Sequence, residues 1–323
     1  MQQLRLRRMR VRGFKSLADF DLRFPDDLTI LIGANGAGKS SVLQALAFVQ
    51  YFAKGRPKGF FEDRGWTPVE VRSRVKTKLS HGIITFRLVL DSIGGEKIFW
   101  HFNYHITLER TVFESVWFLP QGQDIPEKLL SFSQKSKVRI GGQRIRGQTI
   151  PAIAPEGSLV SILDPDALGP QIGGVFTSLR AWGAGIFSLE LLSPVAMRRG
   201  ARGNPSDIGP RGERLGGFLA SLSLAQKERL VGRLMPFYPL RNVETTRKRA
   251  GWVDLQVAEM FDGIGRTSAA HMSDGFMRLL GLASIPEFGE TASTVLLDEV
   301  EDGIDPHILP RFIGMIASFA GGT

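Results

Sequence analysis

The sequence predicts an α/β fold, a mixed sheet with an antiparallel β subdomain and a helical lobe, on three observations. A short apolar run, Leu28 to Ile32, leads straight into a glycine-rich loop and then a helical pattern. Alternating residues from Ile83 to Leu108 predict antiparallel strands about a Gly94–Gly95 turn. Late in the chain a second apolar run, Thr294 to Leu297, ends in Asp298 and Glu299, as a buried parallel strand delivers acids to its C-terminal edge.

Taken in order, Leu4 to Phe24 alternates through Leu4 and Leu6, then Met9 and Val11, then Phe20, Leu22 and Phe24, which predicts two antiparallel strands punctuated by Gly13 and Ser16. Leu28 to Ile32 reads as a strand of the buried kind. Val42, Leu43, Leu46, Ala47 and Val49 fall at helical spacing, so a helix runs from Lys39 to about Phe52. A basic, glycine-punctuated loop is expected from Lys54 to Arg74. Ile83 to Leu90 follows as a strand, with Ile98, Trp100, Phe102, Tyr104, Ile106 and Leu108 on one face of its return partner.

Between Lys128 and Arg180 patterns are weak, apart from a helix near Val175 to Trp182. Ala196 to Gly217, rich in arginine, glycine and proline, reads as an exposed loop. Helical periodicity covers Leu215 to Met235, a hairpin spans Val243 to Phe261 around Ala250 and Gly251, and Ser273 to Ile285 is helical again. The expected organisation is one head of three lobes, residues 1–135, 136–260 and 261–323.

Composition narrows the class. The chain has 323 residues, 43% of them hydrophobic, ample for a packed core. It has no cysteine, which excludes disulfides, thiolate metal sites and cysteine nucleophiles and fits a reducing, cytoplasmic compartment. No apolar run approaches the length of a membrane span, so no membrane role is expected. The net charge is +9, and much of the excess sits in Arg5, Arg7, Arg8, Arg10 and Arg12 and in Arg198, Arg199, Arg202 and Arg211. Such a surplus suits nucleic acid and, equally, a solubilising surface.

Gly33-Ala34-Asn35-Gly36-Ala37-Gly38-Lys39-Ser40 matches the phosphate-binding pattern G-x-x-x-x-G-K-[ST] at every fixed position, in the strand-to-helix context that pattern needs. Glycines let consecutive backbone N–H groups turn inward around phosphate oxygens, with the positive end of the helix dipole behind them. Lys39 is expected to reach the β- and γ-phosphates, and the Ser40 hydroxyl to ligate magnesium. Gly33, Asn35, Gly36, Ala37, Gly38 and Ser41 complete the nucleotide contacts.

Asp298 is expected to hold magnesium, through water, and Glu299 to polarise the attacking water. Adjacent strand residues point to opposite faces, so the loop must begin by Glu299 if both acids are to serve one site. Taken alone, an apolar strand capped by Asp-Glu is as readily a solvated strand end. The phosphate loop upstream is what favours the catalytic reading.

Met272-Ser273-Asp274-Gly275-Phe276-Met277-Arg278 opens a helix, with Ser273 a good N-cap. In combination and in this order the three motifs, with Phe14-Lys15-Ser16-Leu17 ahead of the first, resemble the ABC-type ATPases of the RecF, OLD and structural-maintenance-of-chromosomes branch. The likeness is sharp in Met9 to Phe52 and Met272 to Arg311 and vague between them. It implies a P-loop NTPase fold of the ABC-type head, a head-to-tail homodimer, and Ser273, Asp274 and Gly275 of one subunit completing the γ-phosphate site of another.

The sequence departs from the family at Val300-Glu301-Asp302-Gly303-Ile304-Asp305-Pro306-His307, where relatives carry proline after the glutamate. The family also continues beyond the acidic strand with a helix, a strand and a switch histidine, so an incomplete head is expected at the C-terminal end. His307 reads as an exposed loop histidine and Gln50 as a surface residue. Three functions follow: an ATP-driven clamp on DNA, with a possible nuclease partner; a nucleotide-gated scaffold or toxin partner with slow or no hydrolysis; and a transporter nucleotide-binding subunit, disfavoured by the long separation of the motifs.

Overall fold

Alternation in β1 (Leu4–Phe14) turns Leu4, Met9, Val11 and Phe14 inward, and the phase change between Leu6 and Met9 is absorbed by an irregularity in pairing at Leu6/Arg8. β2 (Leu17–Arg23) pairs antiparallel with β1, as expected. The computed structural model describes residues 3–75, 82–134, 138–141, 148–150, 155–260, 265–289 and 292–320. The chain divides into two compact units, Met1–Phe187 and Ser188–Thr323.

In the first unit α1 (Lys39–Ala53) carries the expected helix one residue further. β3 (Ile83–Ser92), β4 (Lys97–His105), β5 (Arg110–Leu119), β6 (Glu127–Ser133), β7 (Val138–Ile140) and β8 (Gln148–Ile150) complete an eight-stranded antiparallel sheet of order β2-β1-β3-β4-β5-β6-β7-β8. The antiparallel subdomain therefore includes the two opening strands. Its core is aromatic: Phe14, Phe48, Phe52, Phe60, Phe86, Phe102 and Tyr104 are fully buried, and Phe52 stacks on Phe102 at 3.8 Å between centroids. The helix expected near Val175 runs from Pro170 to Ala184.

One carboxylate sits inside this core. Glu114 on β5 is fully buried and accepts from Trp100 Nε1 at 2.9 Å, Ser158 Oγ at 2.6 Å and the Leu159 N–H at 2.7 Å. Burial pushes its pKa up to about 7, against the pull of those three donors.

Two expectations in this unit are corrected. Leu28 to Ile32 forms no strand and is not buried: Leu28, Ile30 and Ile32 are 40%, 64% and 91% exposed. A short apolar run becomes a strand only when neighbouring strands pair with it, and the sheet of this unit ends at β2. The segment from Lys54 to Arg74 is more ordered than a loop, with a helix at Lys58–Glu62 and a 3-10 turn at Pro68–Val71. Phe60, Phe61 and Val71 from it enter the core.

The arginines of β1 are largely neutralised within the sheet. Arg8 pairs with Asp21, Arg10 and Arg12 with Asp19, Arg7 with Asp91 and Arg5 with Asp27. Bonds from Arg10 and Arg12 hold the Asp19 carboxyl well below the usual carboxylate range. The apparent basic patch of the opening residues is thus a ladder of cross-strand ion pairs.

The second unit is built on the expected hairpin, Leu240–Arg247 with Trp252–Glu259, to whose second strand Ala201–Arg202 and Arg266–Ser268 add. Phe261, where the hairpin was expected to end, lies outside the described residues. Helical periodicity from Leu215 resolves into two helices, Leu215–Ser221 and Leu224–Leu234, because Ser223 starts the second with a capping box to Gln226. The Ala196–Gly217 segment is not an exposed loop throughout: Met197, Ala201, Ile208 and Leu215 are buried. Helices at Asp274–Ala283 and Leu309–Ala320 and a short strand at Thr294–Leu296 complete the unit.

Candidate nucleotide site

The phosphate loop and the acidic pair fall in different units, so each half of the expected site has its own geometry. In the first unit, Gly36 and Gly38 adopt the left-handed region (φ 78° and 97°), which only glycine enters without strain. Gly38 is the N-cap of α1 and offers no side-chain cap. The helix therefore starts with amide donors and a dipole end suited to an anion.

Lys39 folds its amine back onto the loop, donating to the Gly33 carbonyl at 2.7 Å and the Ala34 carbonyl at 3.1 Å. Gly33, Asn35, Gly36 and Ala37 are exposed, and Ser40 and Ser41 half-buried, so the loop is open to a ligand.

The segment before β2 supports this loop in a way its sequence did not disclose. Ser16 Oγ donates to Ser41 Oγ at 3.0 Å, and a Cβ on Gly38 would lie 2.9 Å from Ser16 Oγ. Lys15, itself left-handed at φ 48°, donates to Gln44 Oε1 on α1 at 2.7 Å and lies 3.6 Å over the Trp66 ring. Burial, with Arg64 nearby, lowers its pKa. The Phe14-Lys15-Ser16-Leu17 motif thus braces the start of α1. Its place ahead of the loop is the available signal, but its contacts are not local.

In the second unit, Thr294–Leu296 is held by the Leu189 N–H donating to the Leu296 carbonyl at 2.9 Å. The chain leaves the strand at once, and Glu299 takes a left-handed backbone, φ 48°. This is the early turn that the two adjacent acids require. A non-glycine residue held there costs about 1 kcal/mol or more, a strain often found at functional positions.

Asp298 and Glu299 line a cavity of about 50 Å³ with Glu190, Arg278, Leu282 and Val300 among their neighbours. Arg278 was not foreseen. It lies one turn beyond Gly275 and pairs with Asp302 at 2.6 Å.

The helix Asp274–Ala283 starts as expected, with Ser273 Oγ accepting from the Phe276 N–H at 3.2 Å. Asp274 pairs with Arg198, which also donates to the Met272 carbonyl at 2.7 Å. Gly275 has a structural requirement of its own: a Cβ there would lie 2.4 Å from the Gly303 carbonyl oxygen. The loop after the acids is therefore seated on the first turn of this helix. His307 is exposed, as expected, and Gln50 half-buried.

The residues fit a hard divalent ion. Each unit offers oxygen donors separately, Ser40 in the first and Asp298 with Glu299 in the second. Oxygen donors are the ligand type magnesium takes, one or two from protein beside water and phosphate oxygens. No helix among the described residues is long and apolar enough to cross a membrane.

Two family models match the chain. One, described as an AAA domain, covers residues 8–148. The other, described as an AAA domain, putative AbiEii toxin, Type IV TA system, covers residues 184–323. A solved structure, of the recombination mediator protein RecF with ATP in the RecFOR pathway, aligns loosely over 99% of this chain and 90% of its own, at 13% identity and a TM-score of 0.42.

Proposed function

We propose that the chain, whose residues 8–148 and 184–323 each match an AAA-domain model, is a P-loop ATPase that binds and hydrolyses ATP with magnesium, dimerises through the bound nucleotide, and acts on DNA. The observation that carries the reading is that one chain holds both an intact, open phosphate loop with left-handed Gly36 and Gly38 and a strand end where a strained Glu299 follows Asp298.

In this reading the loop amides and Lys39 hold the β- and γ-phosphates, and Ser40 and Asp298 hold magnesium, Asp298 through water. Magnesium, when bound, neutralises charge on the phosphate oxygens. Glu299 orients a water and takes its proton as the water oxygen attacks the γ-phosphorus and the bond to the bridging oxygen breaks, leaving ADP and phosphate. Ser273, Asp274 and Gly275 of a second copy close on the γ-phosphate, where the helix start favours negative charge. Release of phosphate loosens that contact, which makes the dimer a two-state clamp.

Support for DNA as the target comes from the resemblance to the RecF/OLD/SMC-like branch and from Arg202 and Arg247, which among the described residues pair with no carboxylate. A second reading, a nucleotide-gated toxin partner or scaffold with little hydrolysis, is favoured by the description of the model matching residues 184–323. Glu299→Gln separates the two. In a working ATPase it abolishes turnover and traps an ATP-bound dimer, seen as doubled mass in size-exclusion light scattering. If the unaltered chain shows no magnesium-dependent turnover, the scaffold reading stands instead.

A further inference from the structure

The second unit holds a basic and aromatic surface that the nucleotide chemistry does not use. Strands Ala201–Arg202 and Trp252–Glu259 pair antiparallel with Arg202 directly opposite Trp252. Cross-strand neighbours share a face, and the Arg202 guanidinium lies 4.5 Å over the indole ring. The indole also rests on bare backbone, since a Cβ on Gly200 would come within 3.2 Å of it. It is still 43% exposed.

The adjoining hairpin turn is tight. Ala250 and Gly251 are left-handed at φ 63° and 76°, and the Lys248 N–H donates to the Trp252 carbonyl at 2.7 Å. The turn sets Arg247 and Lys248 in the residues just before Trp252, both exposed, as are Arg199 and Arg202.

Charge distinguishes this surface from the opening strand. The β1 arginines have carboxylate partners. Among the described residues Arg202 has none, Arg247 bonds only the neutral Asn204 side chain, and Lys248 is offset by Asp254. A face that served solubility alone would not need a large exposed indole beside its cations. An arginine held over an aromatic ring still has guanidinium N–H donors to offer, and these grip phosphate. An indole edge beside it suits a sugar or base.

We infer that Arg202, Arg247, Lys248 and Trp252 form a contact surface for the phosphate backbone of a nucleic-acid strand. The inference rests on the reading that the chain acts on DNA and gives that reading a place on the molecule. Its contacts are to backbone and stacked surface, so binding is independent of base sequence.

The test is fluorescence anisotropy of the full chain with a labelled single-stranded oligonucleotide of mixed sequence, over a range of salt and with or without ATP. The double variant Arg202→Ala/Arg247→Ala should bind at least tenfold more weakly at low salt. Its log–log salt slope should flatten by about 1.4, since each phosphate contact on a single strand contributes about 0.7. Trp252→Ala should weaken binding at an unchanged slope, because losing an apolar contact releases no counterion. Arg202→Lys, which keeps the charge and loses the guanidinium over the ring, should fall between, and thermal unfolding of each variant checks that it is folded.

Wild-type affinity and slope in the double variant would overturn this surface while leaving DNA as the target. A chain that binds no oligonucleotide under any nucleotide condition would overturn both. Loss of binding to anionic phosphatidylserine vesicles, with oligonucleotide binding intact, would assign the surface to a membrane and also overturn the inference.

Discussion

Replacing Gly275 with alanine probes how the helix that starts at Ser273 is coupled to the loop after the acids. The new Cβ would lie 2.4 Å from the Gly303 carbonyl oxygen, closer than van der Waals contact permits. The obstacle is backbone, not the end of a flexible side chain, so the loop from Glu299 to Gly303 has to retreat. Overpacking of this kind costs about 1–3 kcal/mol, offset by about 0.5–1 kcal/mol from replacing glycine in a helix.

The net loss is about 1.5 kcal/mol. At roughly 2–4 °C per kcal/mol for a domain of 150–250 residues, that lowers the melting temperature by about 3–6 °C. The retreat also separates Arg278 from Asp302, now 2.6 Å apart. Asp302 is 57% exposed at its side chain, so this pair contributes less than about 1 kcal/mol alone. Because the same movement breaks both contacts, Asp302→Asn should add almost nothing on the Gly275→Ala background. Scanning calorimetry of the two single variants and the double reads both effects. An unchanged melting temperature in Gly275→Ala, or strictly additive losses, would refute the seating of this loop on the helix.

Glu114 predicts a pH dependence. Its folded pKa of about 7 is raised above the ordinary glutamate value, so the stability linked to it is complete below about pH 4.5 and lost as pH rises through 7. Glu114→Gln should flatten that part of the stability profile in urea titrations between pH 5 and 8. Gly38→Ala must place a side chain at φ 97° and 2.9 Å from Ser16 Oγ, and should lower affinity for a fluorescent ATP analogue at least tenfold by equilibrium titration. Glu299→Gly should relieve left-handed strain at φ 48°, leaving the protein as stable or up to about 1 kcal/mol more so in denaturant titration while phosphate release stops. Replacing Arg8 and Arg10 with glutamine should cost stability but leave the salt slope of oligonucleotide binding unchanged, because Asp21 and Asp19 already neutralise them.

Features that depend on neighbours in the chain are readable from the residues alone. Gly36 and Gly38 announce left-handed turns, and Ser273 announces a helix start. Apolar spacing from Val42 to Val49 and alternation from Ile98 to Tyr104 announce a helix and a strand, and all of these are present. They were legible because backbone conformation and amphipathic period are local properties. The three motifs in order gave the family in the same way.

Features that depend on residues far apart emerge with the folded chain. Leu28 to Ile32 has every local mark of a strand and lies outside any sheet, since pairing is supplied from elsewhere or not at all. The arginines of β1 look like a nucleic-acid surface until the register places Asp19 and Asp21 against them. Trp252 reads as one more strand residue until Arg202, fifty positions earlier, is set over its ring. Gly275 reads as part of a motif until the Gly303 carbonyl is found where its side chain would be. In each case local sequence set the conformation each segment prefers, and the partner brought by the fold decided what that segment's side chains meet.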